Sequence, residues 1–266
     1  MDANQDTRPP LPPRGTPRPV ALVTGGAVRI GRAICLRLAT AGYDIALHVR
    51  HPTQDAASCR RAAEAGGARV AILAAELSDH GAVAALMPAA NAALGPVGLL
   101  VNNASEFHPD GLGDLDLAVW DRHFAVNLRA PAFLAEALAA QLPPAMRGCV
   151  INLIDQRVLK PTPAYLSYSL TKNGLWAATR LMAQALAPRV RVNAVAPGPT
   201  LANLRQKAEH FAAQSAAVPL GRGPTPEEIA EAVLFLAGAE SVTGQMLAVD
   251  GGQHLAWQTP DTQAPE

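Results

Sequence analysis

Hydrophobic and polar positions alternate along this chain in blocks rather than residue by residue. Short aliphatic or β-branched runs fall at VALVT (20–24), DIALHV (44–49), ARVAIL (68–73), VGLLVN (97–102), CVINLI (149–154), VRVNAV (190–195) and QMLAVD (245–250). Within them no clear in/out alternation is visible, which marks strands covered on both faces, as in a parallel sheet flanked by helices. Longer Ala/Leu-rich segments with helical spacing separate the runs, at 30–41, 53–65, 80–94, 116–141, 164–187, 203–214 and 226–238. Strands and helices interleaved in this way predict an α/β fold: a single-domain, doubly wound (Rossmann-type) parallel sheet of seven strands with helices on both faces.

Outside that pattern the chain changes character. Residues 1–18 (MDANQDTRPPLPPRGTPR) are rich in Pro and Arg and carry few apolar side chains. Such a stretch buries too little surface to offset the entropy of ordering, so a flexible tail is expected there, with a second loose tail at 258–266 and one domain over 19–257. Basic and acidic residues balance at 22 each, which argues against nucleic-acid or anionic-membrane partners. Only 17% of residues are charged against 49% hydrophobic, so part of the surface is expected to be covered by other copies of the chain. Cys35, Cys59 and Cys149 are scattered, with neither disulfide nor zinc-ligand spacing, so no metal site and a reducing, cytoplasmic setting are expected. No apolar run is long enough for a membrane span or a secretory signal.

The first strand runs directly into Thr24-Gly25-Gly26-Ala27-Val28-Arg29-Ile30-Gly31 and then a helix. A glycine turn between strand and helix N-terminus presents backbone N–H groups and a favourable dipole to a pyrophosphate. Gly25 supplies a positive φ, and Gly31 permits close helix–sheet packing. The second strand ends in His48-Val49-Arg50-His51, with no acidic residue to take ribose hydroxyls. Arg50, aided by His51 and Thr53, instead offers charge to a 2′-phosphate, which predicts NADPH as cofactor. Asn103 and Ala104, at the end of the fourth strand, are expected to line the crevice under the cofactor, and Pro197-Gly198 to meet the nicotinamide carboxamide.

Tyr168 and Lys172 lie four residues apart in a helical segment and so share a face. A tyrosine ordinarily titrates at about 10, and a nearby ammonium lowers that value, making the phenol a usable acid/base. With this pair in place, residues 19–257 resemble a short-chain dehydrogenase/reductase. The matching pieces are Thr24-Gly25…Gly31, Asn102-Asn103-Ala104, Asn127, Tyr168…Lys172, Pro197-Gly198 and Asp250-Gly251-Gly252. The resemblance implies hydride transfer from nicotinamide with Tyr168 as proton donor, Lys172 holding the nicotinamide ribose, Asn127 supporting a relay water, and a homotetramer built on the long central helices.

Two departures from the family pattern are informative. Arg29 stands where the turn usually carries Gly, and Asp155, thirteen residues before Tyr168, replaces the usual catalytic Ser. Both resemble the pteridine reductases within the family, as do Asn103-Ala104-Ser105-Glu106-Phe107 and the strand end through His48. A hydroxyl donates to a carbonyl oxygen, whereas an ionised Asp only accepts, as from a ring N–H or exocyclic amine. Arg29 is expected to hold a pterin carbonyl edge and the cofactor phosphates, Ser105 the amino-pyrimidine edge, and Phe107 to stack on the ring. The expected function is therefore NADPH-dependent reduction of a C=N bond in a pterin or folate-like ring. Its rivals are a carbonyl or 3-oxoacyl reductase of the same family and a non-catalytic NADP(H) sensor. Residues 104–115 and 199–222 are expected to fold over the substrate.

Overall fold

The structure, a computed structural model, describes residues 18–202 and 207–257. Seven parallel strands form one sheet: β1 (Val20–Val23), β2 (Asp44–Val49), β3 (Val70–Ala74), β4 (Val97–Asn102), β5 (Gly148–Leu153), β6 (Val190–Pro197) and β7 (Met246–Val249), in the order β3-β2-β1-β4-β5-β6-β7. Every residue of β1, β2 and β5 is buried, as unalternating apolar runs require. One face packs against α1 (Arg29–Thr40), α2 (Gln54–Ala65) and α8 (Pro226–Gly238), whose Ile34, Leu38 and Ile229 join Val23, Leu47 and Ile151 in the core. The other packs against α3 (His80–Leu94), α5 (Ala130–Gln141) and the C-terminal half of α6 (Leu166–Leu186), through Met87, Leu134, Leu138 and Ala183. The order in which strands are added reverses between β1 and β4, and a crevice opens beyond the carboxyl ends of these neighbouring parallel strands, where open α/β sheets hold ligands.

The predicted helix over 116–141 is interrupted. It begins as α4 (Leu117–Phe124), widens into a π turn at Ala125–Arg129, and resumes as α5. Pro131 has no N–H to return to the Asn127 carbonyl four residues back, so the regular ladder fails at this point, and a wider turn absorbs the break. The segment predicted over 203–214 is helical as α7 (Ala208–Ala216); 203–206 lie outside the described residues, as do the tails 1–17 and 258–266. Arg18, read from sequence as part of the tail, is instead docked: Nη2 donates to the carbonyls of Ala39 (2.7 Å) and Tyr43 (3.2 Å), and Nε lies 3.4 Å from the Asp44 carboxylate. Among the described residues no helix is long and apolar enough to cross a membrane.

Candidate active site

The glycine turn is shaped by its neighbours. Gly25 has φ +63°, and a Cβ on Gly31 would lie 2.1 Å from the Gly25 carbonyl oxygen, so neither position accepts a side chain without distortion. Asn103 Nδ2 donates to the carbonyls of Thr24 (2.9 Å) and Gly25 (3.2 Å). Thr24 Oγ1 accepts from the N–H groups of Asn103 (2.9 Å) and Ala104 (3.0 Å), lacing the turn to the end of β4. His48 Nδ1 accepts from Gly25 N–H at 3.1 Å, so its Nε2 carries the hydrogen and donates to Ala75 O at 3.0 Å. Burial holds this imidazole below its ordinary pKa, in keeping with a neutral ring that fixes the turn. A cleft of about 410 Å³ opens here, lined by Gly25, Arg29, Ile30 and Gly31, by His48 and Arg50 from the end of β2, and by Asn103 and Ala104.

The fold places the three side chains expected to serve the 2′-phosphate differently. Arg50 lines the cleft and is paired with Glu106 and, at 3.3 Å, with Glu76. His51 is exposed beyond the end of β2 and is not among the residues lining the cleft, because the chain has already turned outward toward α2. Thr53 is committed to capping α2, accepting from Ala56 N–H at 3.2 Å. Arg29 takes φ +53°, the left-handed conformation a glycine adopts without strain. Its guanidinium reaches across the crevice and donates to the carbonyls of Ala202 (2.9 Å) and Leu201 (3.2 Å).

A second cleft of about 910 Å³ adjoins the first, and Arg29, Ile30, Asn103 and Ser105 line both. Into it face Phe107, Asp155, Tyr168, Lys172, Pro197 and Gly198. Tyr168 Oη donates to Asp155 Oδ2 at 2.8 Å. The same oxygen accepts from Arg157 Nη1 at 3.0 Å, while Oδ1 accepts from Arg157 N–H at 2.8 Å. Lys172 Nζ donates to the Leu153 carbonyl at 2.8 Å. The expected lowering of the Tyr168 pKa by Lys172 is not what this arrangement produces. Burial, reinforced by the Asp155 carboxylate, pushes the phenol well above its ordinary value, because ionisation would place two anions side by side in a dry site. Burial also brings Lys172 down to about 8, with Asp155 opposing.

Asn127 sits in the π turn and is fully buried among protein partners. Its Oδ1 accepts from Glu106 N–H (2.8 Å) and Ser105 Oγ (3.2 Å), and its Nδ2 donates to Glu106 O (3.0 Å) and Thr171 Oγ1 (3.2 Å). The side-chain amide therefore ties the 105–106 loop to α6. Ser105 lines both clefts as expected of a contact residue. Phe107 stacks on Tyr165 (centroids 4.5 Å, 14°) and meets Tyr168 edge-on at 4.7 Å.

Several site residues escaped the sequence reading. Arg157 pairs with Asp155 and lies 5.8 and 5.5 Å from the Phe107 and Tyr165 centroids. Tyr165 opens α6 with φ +61°. Asp110, from the loop after β4, accepts from Ser167 N–H with both oxygens at 3.2 Å and so caps α6 from outside. His123 Nε2 accepts from His108 N–H at 3.0 Å, and its Nδ1 donates to Ser167 Oγ at 2.6 Å; burial holds its pKa down. The one available signal for Arg157 was its place two residues after the carboxylate; for the others, folding alone makes the contacts.

The residues fit a nicotinamide dinucleotide: an elongated groove, a turn that any side chain would fill, and a lysine and a phenol at its far end. Comparison with known proteins agrees. The family model described as enoyl-(acyl carrier protein) reductase matches residues 26–254. Among solved structures, the alternative dihydrofolate reductase 1 FolM from Brucella canis, complexed with NADP, is 47% identical, with TM-score 0.89 over 92% of this chain and 97% of that one. The FolM structure from Brucella suis, also with NADP, is 48% identical with TM-score 0.88 over 92% and 98%. Among characterised sequences, cis-4-hydroxycyclohexanecarboxylate dehydrogenase from Sinomonas cyclohexanicum is 36% identical over 88% of this chain and 95% of its own length.

Proposed function

The protein belongs to the short-chain dehydrogenase/reductase family, and on that premise we propose that it is an NADPH-dependent reductase of a C=N bond in a pterin-, dihydropteridine- or dihydrofolate-like ring. The observation that carries this reading is Asp155. Where a carbonyl reductase needs a donor, a carboxylate faces the cleft, and among the described residues its Oδ1 is engaged by the Arg157 N–H alone. That oxygen has room to accept from a ring N–H or an exocyclic amine, groups that a nitrogen heterocycle has and a simple ketone lacks. Phe107 offers the flat face on which such a ring stacks. The likeness to two alternative dihydrofolate reductases solved with NADP supports the same substrate class.

NADPH bound along the groove supplies the hydride. Tyr168, kept protonated by burial and by its bond to Asp155, delivers a proton to the substrate nitrogen. Lys172 would hold the nicotinamide ribose, and Pro197 and Gly198, which line the same cleft, would lie beside the carboxamide. Arg29 and Ser105 meet opposite edges of the substrate's pyrimidine. Asn127 acts by fixing the loop that carries Ser105 and Phe107. Exposed apolar side chains on α5 and α6, Phe133, Leu170 and Leu181, suit burial in a homotetramer.

NADPH oxidation measured with dihydrobiopterin, dihydrofolate and a panel of ketones tests the assignment. Turnover of the dihydro-heterocycles is expected. Efficient reduction of ketones alone would remove the pterin reading, and cofactor binding without any turnover would make the protein a sensor.

A further inference from the structure

Glu106 lies between Ser105 and Phe107, and its side chain is 9% exposed. Three groups share its carboxylate. Arg50 Nη2 and Arg122 Nε (3.0 Å) both donate to Oε1, and His108 Nε2 lies 3.1 Å from Oε2. Glu76, just past β3, engages the same two arginines, with Arg50 Nε at 3.3 Å and Arg122 Nη2 at 3.2 Å. Two cations and two anions thus close a ring joining the ends of β2 and β3, the loop after β4, and α4. Arg50 reaches the cofactor cleft already claimed on two sides, and the ring's formal charge is zero. Burial raises the carboxyl pKa of Glu106, but the Arg122 bond and the Arg50 charge outweigh it and leave the value below the ordinary range.

We propose that Glu106 is a specificity-determining residue that acts through Arg50: its carboxylate competes with the cofactor's 2′-phosphate for the guanidinium and thereby sets the preference between NADPH and NADH. An incoming phosphate draws Arg50 from Glu106, which falls back on Arg122 and His108. NADH brings no phosphate and leaves the ring closed. Arg122 matters as the second cation: the more of the two carboxylates it satisfies, the less they hold Arg50.

This rests on Arg50 as the phosphate's partner, and the two ideas fail separately. Dissociation constants of NADPH and NADH are measured by fluorescence quenching on the full chain and on Glu106→Gln, Arg122→Met and Arg50→Gln. Glu106→Gln is expected to raise the NADPH/NADH affinity ratio about fivefold, the scale of one partly exposed ion pair. Arg122→Met leaves both carboxylates to Arg50 and is expected to lower the ratio by a similar factor. A purely structural role for the ring would shift both cofactors together and in the same direction in both variants. If Arg50→Gln lowers the ratio while the other two leave it unchanged, or move it the same way, the competition is overturned. If Arg50→Gln leaves the ratio unchanged, Arg50 does not read the phosphate, and the competition falls with it. Arg122→Met leaves Glu106 intact, so the sign test survives poor folding of Glu106→Gln.

Discussion

Tyr168, Asp155 and Arg157 share two hydrogen bonds around a single carboxylate oxygen, and each substitution there has its own signature. Tyr168→Phe removes the proton donor but little volume, so kcat is expected to fall by about 10²–10⁴-fold while NADPH binding by fluorescence titration stays close to wild type. Asp155→Ser restores a donor, so the kcat/KM ratio of ketone to dihydropterin is expected to rise; an unchanged ratio would show that residue 155 does not select the substrate. Lys172 gives a pH test. Its folded pKa of about 8 lies below the unfolded value of about 10.4. Between these values the unfolded chain binds more protons, so stability rises with pH across that window. Wild type should therefore gain on Lys172→Met by about 1 kcal/mol per pH unit from pH 8 to 10 in urea unfolding. Tyr168 and Lys172 were legible from their four-residue helical spacing, and Asp155 from the resemblance to the family's motif, where it stands in place of the usual Ser. Arg157, Glu106 and Arg122 were not, since their roles arise from partners that only the folded chain brings within reach.

At the scale of elements, the helices read from periodicity hold to within a few residues over the described residues. Thr53 and Thr225 show why: each hydroxyl accepts from the backbone N–H three residues on, a short-range bond written in local sequence. The interruption at Ala125–Arg129 was missed, although Pro131 was visible inside the predicted run, because Ala/Leu spacing alone favours an unbroken helix. α6 begins differently. Its first residues have no side-chain cap of their own, and the carboxylate of Asp110 supplies one from a loop 57 residues away in sequence. Asp110→Ala is expected to cost about 1 kcal/mol of unfolding free energy. Because that cap also pins the loop carrying Phe107, the substrate KM should rise more than the cofactor KM. Loss of stability with both KM values unchanged would limit Asp110 to a scaffold role.

At the scale of the molecule, alternating strands and helices were enough to predict the sheet, because parallel strands buried on both faces leave an unambiguous apolar pattern. Two clefts that merge over the β1/β4 reversal follow from that topology, but their rim does not, since it is built from loop contacts between distant segments. Binding of the whole dinucleotide should raise the unfolding temperature, and at a concentration 100 times its Kd a ligand adds about 2.7 kcal/mol. At equal concentration NADP+ is expected to exceed NAD+ in a thermal-shift assay; equal shifts would argue against phosphate recognition. Arg29 adds a kinetic corollary. Its forked bond to Leu201 and Ala202 fastens the glycine turn after β1 to the segment beyond the sixth strand, and a dinucleotide that crosses this clasp is expected to open it on the way in and again on the way out. Escape of spent NADP+ is then expected to be the slow stage of each cycle, with a pre-steady-state burst as its measurable sign. Arg29→Gly, which adopts the left-handed turn without strain but loses the clasp and the substrate contact, should lose the burst and show a raised substrate KM; a burst of unchanged amplitude would show that the clasp does not hold the product.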